Sequence, residues 1–236
     1  MESTRRSFLA APALSLPALS RALQAQTAPS RRPKLKITDV RTAEIRGHGY
    51  QVHVRIYSDQ GIYGHGEATD AAQGAVPLIR SFRRMLIGQD PLNVEALWER
   101  IRTMGIFAGA QGGQYVTALT AVEIALWDLA GKAVGLPVYQ LLGGKVRDRV
   151  RVYCDSANHH PDDPLAKAKL KEIEAMGFTA LKIDIDEAAD PARFDRVNWT
   201  ASNGEIDRMV KEVAFVRESV DKKIDVAADM HGRYDG

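Results

Sequence analysis

Cysteine is almost absent: Cys154 stands alone among 236 residues. One thiol closes no internal disulfide and builds no cysteine-based zinc site, and it reads as a small buried side chain rather than a nucleophile. An excess of one charge is absent as well. The chain has 32 basic and 30 acidic side chains, a formal net charge of +2. Residues 1–25 hold Arg5, Arg6 and Arg21 against Glu2 alone, so the remainder is neutral. A neutral chain gives no support to nucleic-acid binding or to electrostatic anchoring on a membrane. Long apolar runs are missing too. The run at 8–19 has 12 residues and is broken by Pro12 and Pro17, short of the ~20 that a membrane span needs.

What is present is a globular composition, 45% hydrophobic and 26% charged, long enough for one or two domains. The N-terminal stretch "STRRSFLAAPALSLPALSRALQAQ" has paired arginines, a short apolar core and small residues near Ala25. It reads as an export leader over residues 1–25. The Arg-Arg-Ser-Phe-Leu order resembles twin-arginine signals, which makes a periplasmic location the expectation. Residues 26–33 read as a linker.

From Leu35 the segments "LKITDVRTAEIR" and "YQVHVRIYSDQGIYGHGEA" alternate apolar positions around a turn at Asp59-Gln60-Gly61, which predicts an antiparallel meander. Three helical periods follow: 75–88, 91–105 with Pro91 in its first turn, and 116–135, which is apolar around much of its circumference. Residues 34–145 are therefore expected to form an α+β unit. The rhythm then changes to strand 148–157, helix 162–177 capped by Asp163, strand 179–186, helix from Ser202, and strand 223–231. Ser202 and Glu205 have capping-box spacing, and Ile206, Val210, Val213 and Val220 mark the face expected to pack on the sheet. This order predicts parallel strands over 146–236 with a site at their carboxyl ends.

Two groups of polar side chains fall at that rim. Lys182, Asp184 and Asp186 share one strand face, and by the same alternation so do Asp229 and His231. A lysine on an inward face is costly unless paired or functional, and desolvation lowers its pKa. These residues are either a site or a set of solvated or structural ion pairs.

Residues 118–143, "ALTAVEIALWDLAGKAVGLPVYQLLG", closely resemble a signature of the mandelate racemase and muconate lactonizing enzyme group of the enolase superfamily. The match rests on Ala118, Glu123, Ala125, Asp128, Gly131-Lys132, Pro137 and Leu141-Leu142-Gly143. "VAADMH" matches the opening of that group's second signature. The resemblance implies a capping domain over a TIM-type (β/α) barrel. It also implies removal of the proton alpha to a carboxylate, with Mg²⁺ stabilising the resulting anion. Asp229 corresponds to a metal ligand. Lys182 matches the first residue of a Lys-x-Lys pair whose second position here is Asp184, so Lys182 and Asp184 are candidate catalytic residues. The Asp-x-His of Asp229 and His231 resembles acid-sugar dehydratases, in which the histidine is the general acid toward the leaving hydroxyl. Arg233, His48 and Tyr50 are candidate substrate contacts. The resemblance further implies a small-molecule acid-sugar substrate and a homo-oligomeric full-length protein.

A full barrel has eight strands and ~250 residues, so residues 146–236 are expected to form a partial barrel of about three strands, from a C-terminally truncated member. Two further acidic metal ligands implied by the resemblance fall outside it, and the chain is expected to be inactive alone. A non-catalytic fragment binding a sugar acid or partner, and a racemase or cycloisomerase, are the alternatives.

Overall fold

The computed structural model describes residues 32–47, 49–68, 72–186 and 200–234. The leader expected over 1–25, most of the linker expected over 26–33, and His48 lie outside the described residues. The chain divides into two compact units, Met1–Val146 and Arg147–Gly236.

In the first unit, strands β1 (Ile37–Gly47), β2 (Gly49–Ser58) and β3 (Tyr63–Ala68) form an antiparallel meander in the order β1-β2-β3. Alternation along β2 buries Val52, Val54 and Ile56 and leaves Gln51, His53, Arg55 and Tyr57 on the opposite face. Helices α1 (Ala75–Leu86), α2 (Val94–Met104), α3 (Gly113–Val134) and the single turn α4 (Val138–Leu141) follow. Pro91 lies in the turn before α2 rather than inside it, because Asp90 Oδ1 accepts the Leu92 N–H there at 2.9 Å. Helix α3 buries Ala118, Leu119, Ala121, Val122, Ala125, Leu126 and Leu129. Its backbone comes close to β3 because two glycines face it. A Cβ at Gly64 would stand 1.9 Å from the Ala125 carbonyl oxygen, and one at Gly66 2.1 Å from that of Ala121.

The second unit alternates β4 (Cys154–Ser156), α5 (Ala166–Ala175), β5 (Ala180–Asp184), α6 (Asn203–Ser219) and β6 (Asp225–Asp229). The strands are parallel in the order β4-β5-β6. An α+β unit followed by three parallel strands with intervening helices is the architecture expected for a capping domain and the start of a barrel. Three local expectations need correction. Strand β4 is only three residues long, and Val150, Val152 and Tyr153 before it are exposed. Asp163 does not cap α5: its side chain accepts from Leu165 N–H at 2.8 Å in the preceding turn, and the helix begins at Ala166. Finally, α6 turns Glu205, Met209, Glu212 and Val216 inward, while Ile206 and Val210 are exposed.

The physical reason for that last rotation is a buried polar clip. Glu212, fully buried, accepts the His159 N–H at 2.7 Å through Oε1 and pairs with Arg208 at 3.1 Å through Oε2. Arg208 in turn donates to the Ile185 carbonyl at 2.8 Å. A fully satisfied carboxylate can occupy the core-facing stripe that the apolar pattern assigned elsewhere. The capping box is present: Ser202 Oγ accepts the Glu205 N–H, and Glu205 accepts the Ser202 N–H. Among the described residues, no helix is long and apolar enough to cross a membrane.

Candidate functional site

Strand β5 separates two chemistries. Leu181 and Ile183 are fully buried on the side facing the helices, and Lys182 and Asp184 emerge on the other. Parallel register aligns Asp155 of β4 with Lys182, and Asp229 of β6 with Asp184. Charged groups from three strands thus meet at the carboxyl ends without long reaches.

Lys182 is at the centre. Its Nζ lies 2.8 Å from Asp155 Oδ1, 3.0 Å from Asp229 Oδ2 and 3.1 Å from Asp184 Oδ1, with the side chain 15% exposed. Hydrogen bonds to Asp155, Asp229 and Asp184 hold its pKa well above the usual lysine value. Burial pushes the other way and loses. The expectation that desolvation lowers this lysine is therefore corrected: three carboxylates keep it a cation. Nothing local in the sequence marks Asp155, because only the strand register puts it beside Lys182.

His231 reaches the same place by a different route from the one alternation suggested. Strand β6 ends at Asp229, and His231 adopts φ of +50°, a left-handed conformation uncommon outside glycine. Asp229 Oδ1 accepts the His231 N–H at 2.8 Å, an Asx-type turn that stabilises this geometry. The turn swings the ring toward β5. Nδ1 meets Asp186 Oδ1 at 2.7 Å, and Nε2 faces Asp184 and Asp229 at 3.9 and 3.8 Å. The Asp186 side chain is only 1% exposed, and its second oxygen is ion-paired with Arg233 Nε. The Asp186 contact raises the His231 pKa above the ordinary histidine value. The Asp229 carboxyl is lowered, chiefly by the His231 N–H and next by Lys182.

Four carboxylates (Asp155, Asp184, Asp186 and Asp229) thus face Lys182, Arg233 and one imidazole. Asp184, Asp229 and His231 each offer a ligand atom within 4.8 Å of the others. The two carboxylate oxygens suit a small hard cation such as Mg²⁺, with Lys182 competing for the same two groups. Arg233, a candidate substrate contact, is committed through Nε to Asp186. Tyr50 lies in the first unit on the β1–β2 hairpin, where its hydroxyl donates to Glu44 Oε2 at 2.6 Å. His159 belongs to the clip: it is buried, with its ring 3.2 Å from Ser156 Oγ.

Residues 26–143 match the N-terminal domain of the mandelate racemase / muconate lactonizing enzyme family. The chain belongs to that family. A family member from Rubrobacter xylanophilus, described as mandelate racemase/muconate lactonizing enzyme-like, superposes with a TM-score of 0.78 at 39% identity, covering 86% of this chain and 55% of that one. Among curated relatives, D-xylonate dehydratase of Haloferax volcanii is 37% identical over 203 residues, 85% of this chain and 49% of its own length. D-galactonate dehydratase of Pectobacterium atrosepticum is 30% identical over 203 residues, 85% and 50%. The chain spans about half the length of the curated relatives it matches. Its place in the mandelate racemase group of the enolase superfamily, and its kinship with acid-sugar dehydratases, follow from these matches.

Proposed function

We propose that the β4–β6 cluster is part of a Mg²⁺-dependent site for dehydrating an acid sugar. The observation that carries this reading is the convergence of Lys182, Asp184, Asp229 and His231 at the strand ends, in a chain whose relatives include D-xylonate and D-galactonate dehydratases. Asp229 and Asp184 would hold the ion, which when bound supplies positive charge at the substrate carboxylate. The residues of this chain do the rest of what is assigned to it. Lys182, kept protonated, offers a fixed cation where negative charge builds as the alpha proton leaves. Asp186 holds Nδ1 of His231, so the proton on Nε2 is free to pass to the departing hydroxyl. Arg233 braces Asp186 from its other side.

The 236-residue chain alone is expected to turn over little substrate, because Lys182 competes with an ion for Asp184 and Asp229 and so weakens its hold without excluding it. NMR titration with D-xylonate or D-galactonate, with and without Mg²⁺, tests the assignment. Mg²⁺-dependent shifts at Lys182, Asp229 and His231 that disappear in Asp229→Asn are expected; their absence at millimolar acid sugar overturns it. Rapid formation of a 2-keto-3-deoxy product would instead show that competition from Lys182 does not limit turnover. Exchange of the alpha proton for solvent deuterium without loss of water would favour the racemase alternative. The Arg5-Arg6 leader supports export to the periplasm as part of the same reading, and N-terminal sequencing of the mature protein tests it.

A further inference from the structure

The open face of the β1–β2–β3 sheet carries a second cluster that the dehydratase reading does not use. His53 on β2 stands opposite Glu67, and His65 on β3 stands opposite Arg55, so the two imidazoles are diagonal neighbours on one face. Nδ1 of His53 lies 2.9 Å from Nε2 of His65, with ring centroids 5.1 Å apart and planes at 41°. They border a surface concavity of about 440 Å³ shared with Arg41, Thr42, Arg55 and Tyr57. The His65 backbone is pinned by its N–H bond to Asp128 Oδ2 at 2.8 Å.

We propose that His53 and His65 chelate a borderline divalent transition metal, of the Cu²⁺ or Ni²⁺ class, on this face of the first unit. Two nitrogens in this contact share one proton between them, and a metal ion replaces that proton. The spacing is close enough for one ion to reach both nitrogens. Two nitrogens ~2.1 Å from a metal are ~3.0 Å apart at a right angle and ~3.4 Å apart at a tetrahedral one. The observed 2.9 Å is the length of a hydrogen bond, so a small rotation of the rings would open either geometry, and the choice of ion rests on ligand type: two imidazoles on an otherwise cationic face favour the ions that bind nitrogen most strongly, Cu²⁺ and Ni²⁺. Mg²⁺ is disfavoured by the nitrogen donors.

Arg41 and Arg55 oppose any cation here, but both guanidinium groups are engaged. Arg41 is bonded to Asp39 at 2.7 Å and lies 5.0 Å over the Tyr57 ring, and Arg55 lies 5.0 Å over Tyr63. Their residual charge selects ions with a strong preference for imidazole.

The test is Ni²⁺ calorimetry together with Cu²⁺ electron paramagnetic resonance on the full 236-residue chain, carrying Asp229→Asn and His231→Asn to silence the other cluster. One bound ion with two equatorial nitrogens is expected. His53→Gln or His65→Gln, each checked by its melting curve, should weaken Ni²⁺ binding ~100-fold by removing the chelate. Unchanged affinity in both variants overturns the proposal. So does a Cu²⁺ spectrum of the chain with both histidines that lacks coupling to two nitrogens, whatever the variants do.

Discussion

Asp186 reaches His231 only because the backbone turns left-handed after β6, and that contact sets the proton affinity of the ring. His231 should therefore stay protonated above the ~6.5 of a free histidine. The stability this pair contributes is full below that pH and fades as pH rises through the folded-state pKa. Asp186→Asn should bring the His231 titration, followed by its ring NMR signals, back down toward the ordinary value; an unchanged midpoint would show that another group raises it. His159 runs the other way. Burial lowers its pKa, so its contribution is full above ~6.5 and is lost as pH falls through the folded value. In His159→Gln, denaturation curves collected between pH 7 and 4 should show a shallower loss of stability on the acid side than the parent chain.

Elements stay where small features allow them. Helix α3 reaches β3 across Gly64 and Gly66, and a methyl group at either site meets backbone that cannot move aside. Gly64→Ala should cost about 3 kcal/mol in urea denaturation, whereas Gly61→Ala, in open space, should cost less and act only through its positive φ. At the start of α6, Ser202→Ala removes the side-chain acceptor for Glu205 N–H and should cost ~1 kcal/mol. The clip further along the helix is the more sensitive element. Glu212→Ala removes one partner of Arg208 and leaves the buried His159 N–H without its acceptor. A loss of about 3–5 kcal/mol is expected, and a value near zero would mean that water replaces the carboxylate.

At the scale of the whole molecule, the rotation of α6 leaves an apolar cleft of about 640 Å³ beside the sheet, lined by Ile185, Ile206, Met209, Val210, Val213 and Met230. Val210 is 62% exposed there. Open apolar surface of this kind attracts hydrophobic dyes, so the native chain should bind anilinonaphthalene sulfonate, and Val210→Lys should reduce the fluorescence without lowering the melting temperature. The cleft also marks a feature that local patterning does not specify. The periodicity of Ile206, Val210 and Val213 was legible, but which side of α6 would meet the sheet depended on Glu212 finding His159 far away in the chain, with Arg208 one turn back along the same helix reaching over to the Ile185 carbonyl. Alternation and turn residues sufficed for the meander, and the strand-helix-strand order sufficed for the parallel sheet, because both arise from local sterics and local apolar patterning. The family signature over residues 118–143 and the gathering of Lys182, Asp184 and Asp229 were likewise readable along the chain. Asp155 beside Lys182, the raised lysine pKa, the Asp186–His231 pair and the His53–His65 contact were not. Each depends on strand register or on a single backbone turn, and such pairings are selected by long-range packing and electrostatics that no local stretch of residues specifies.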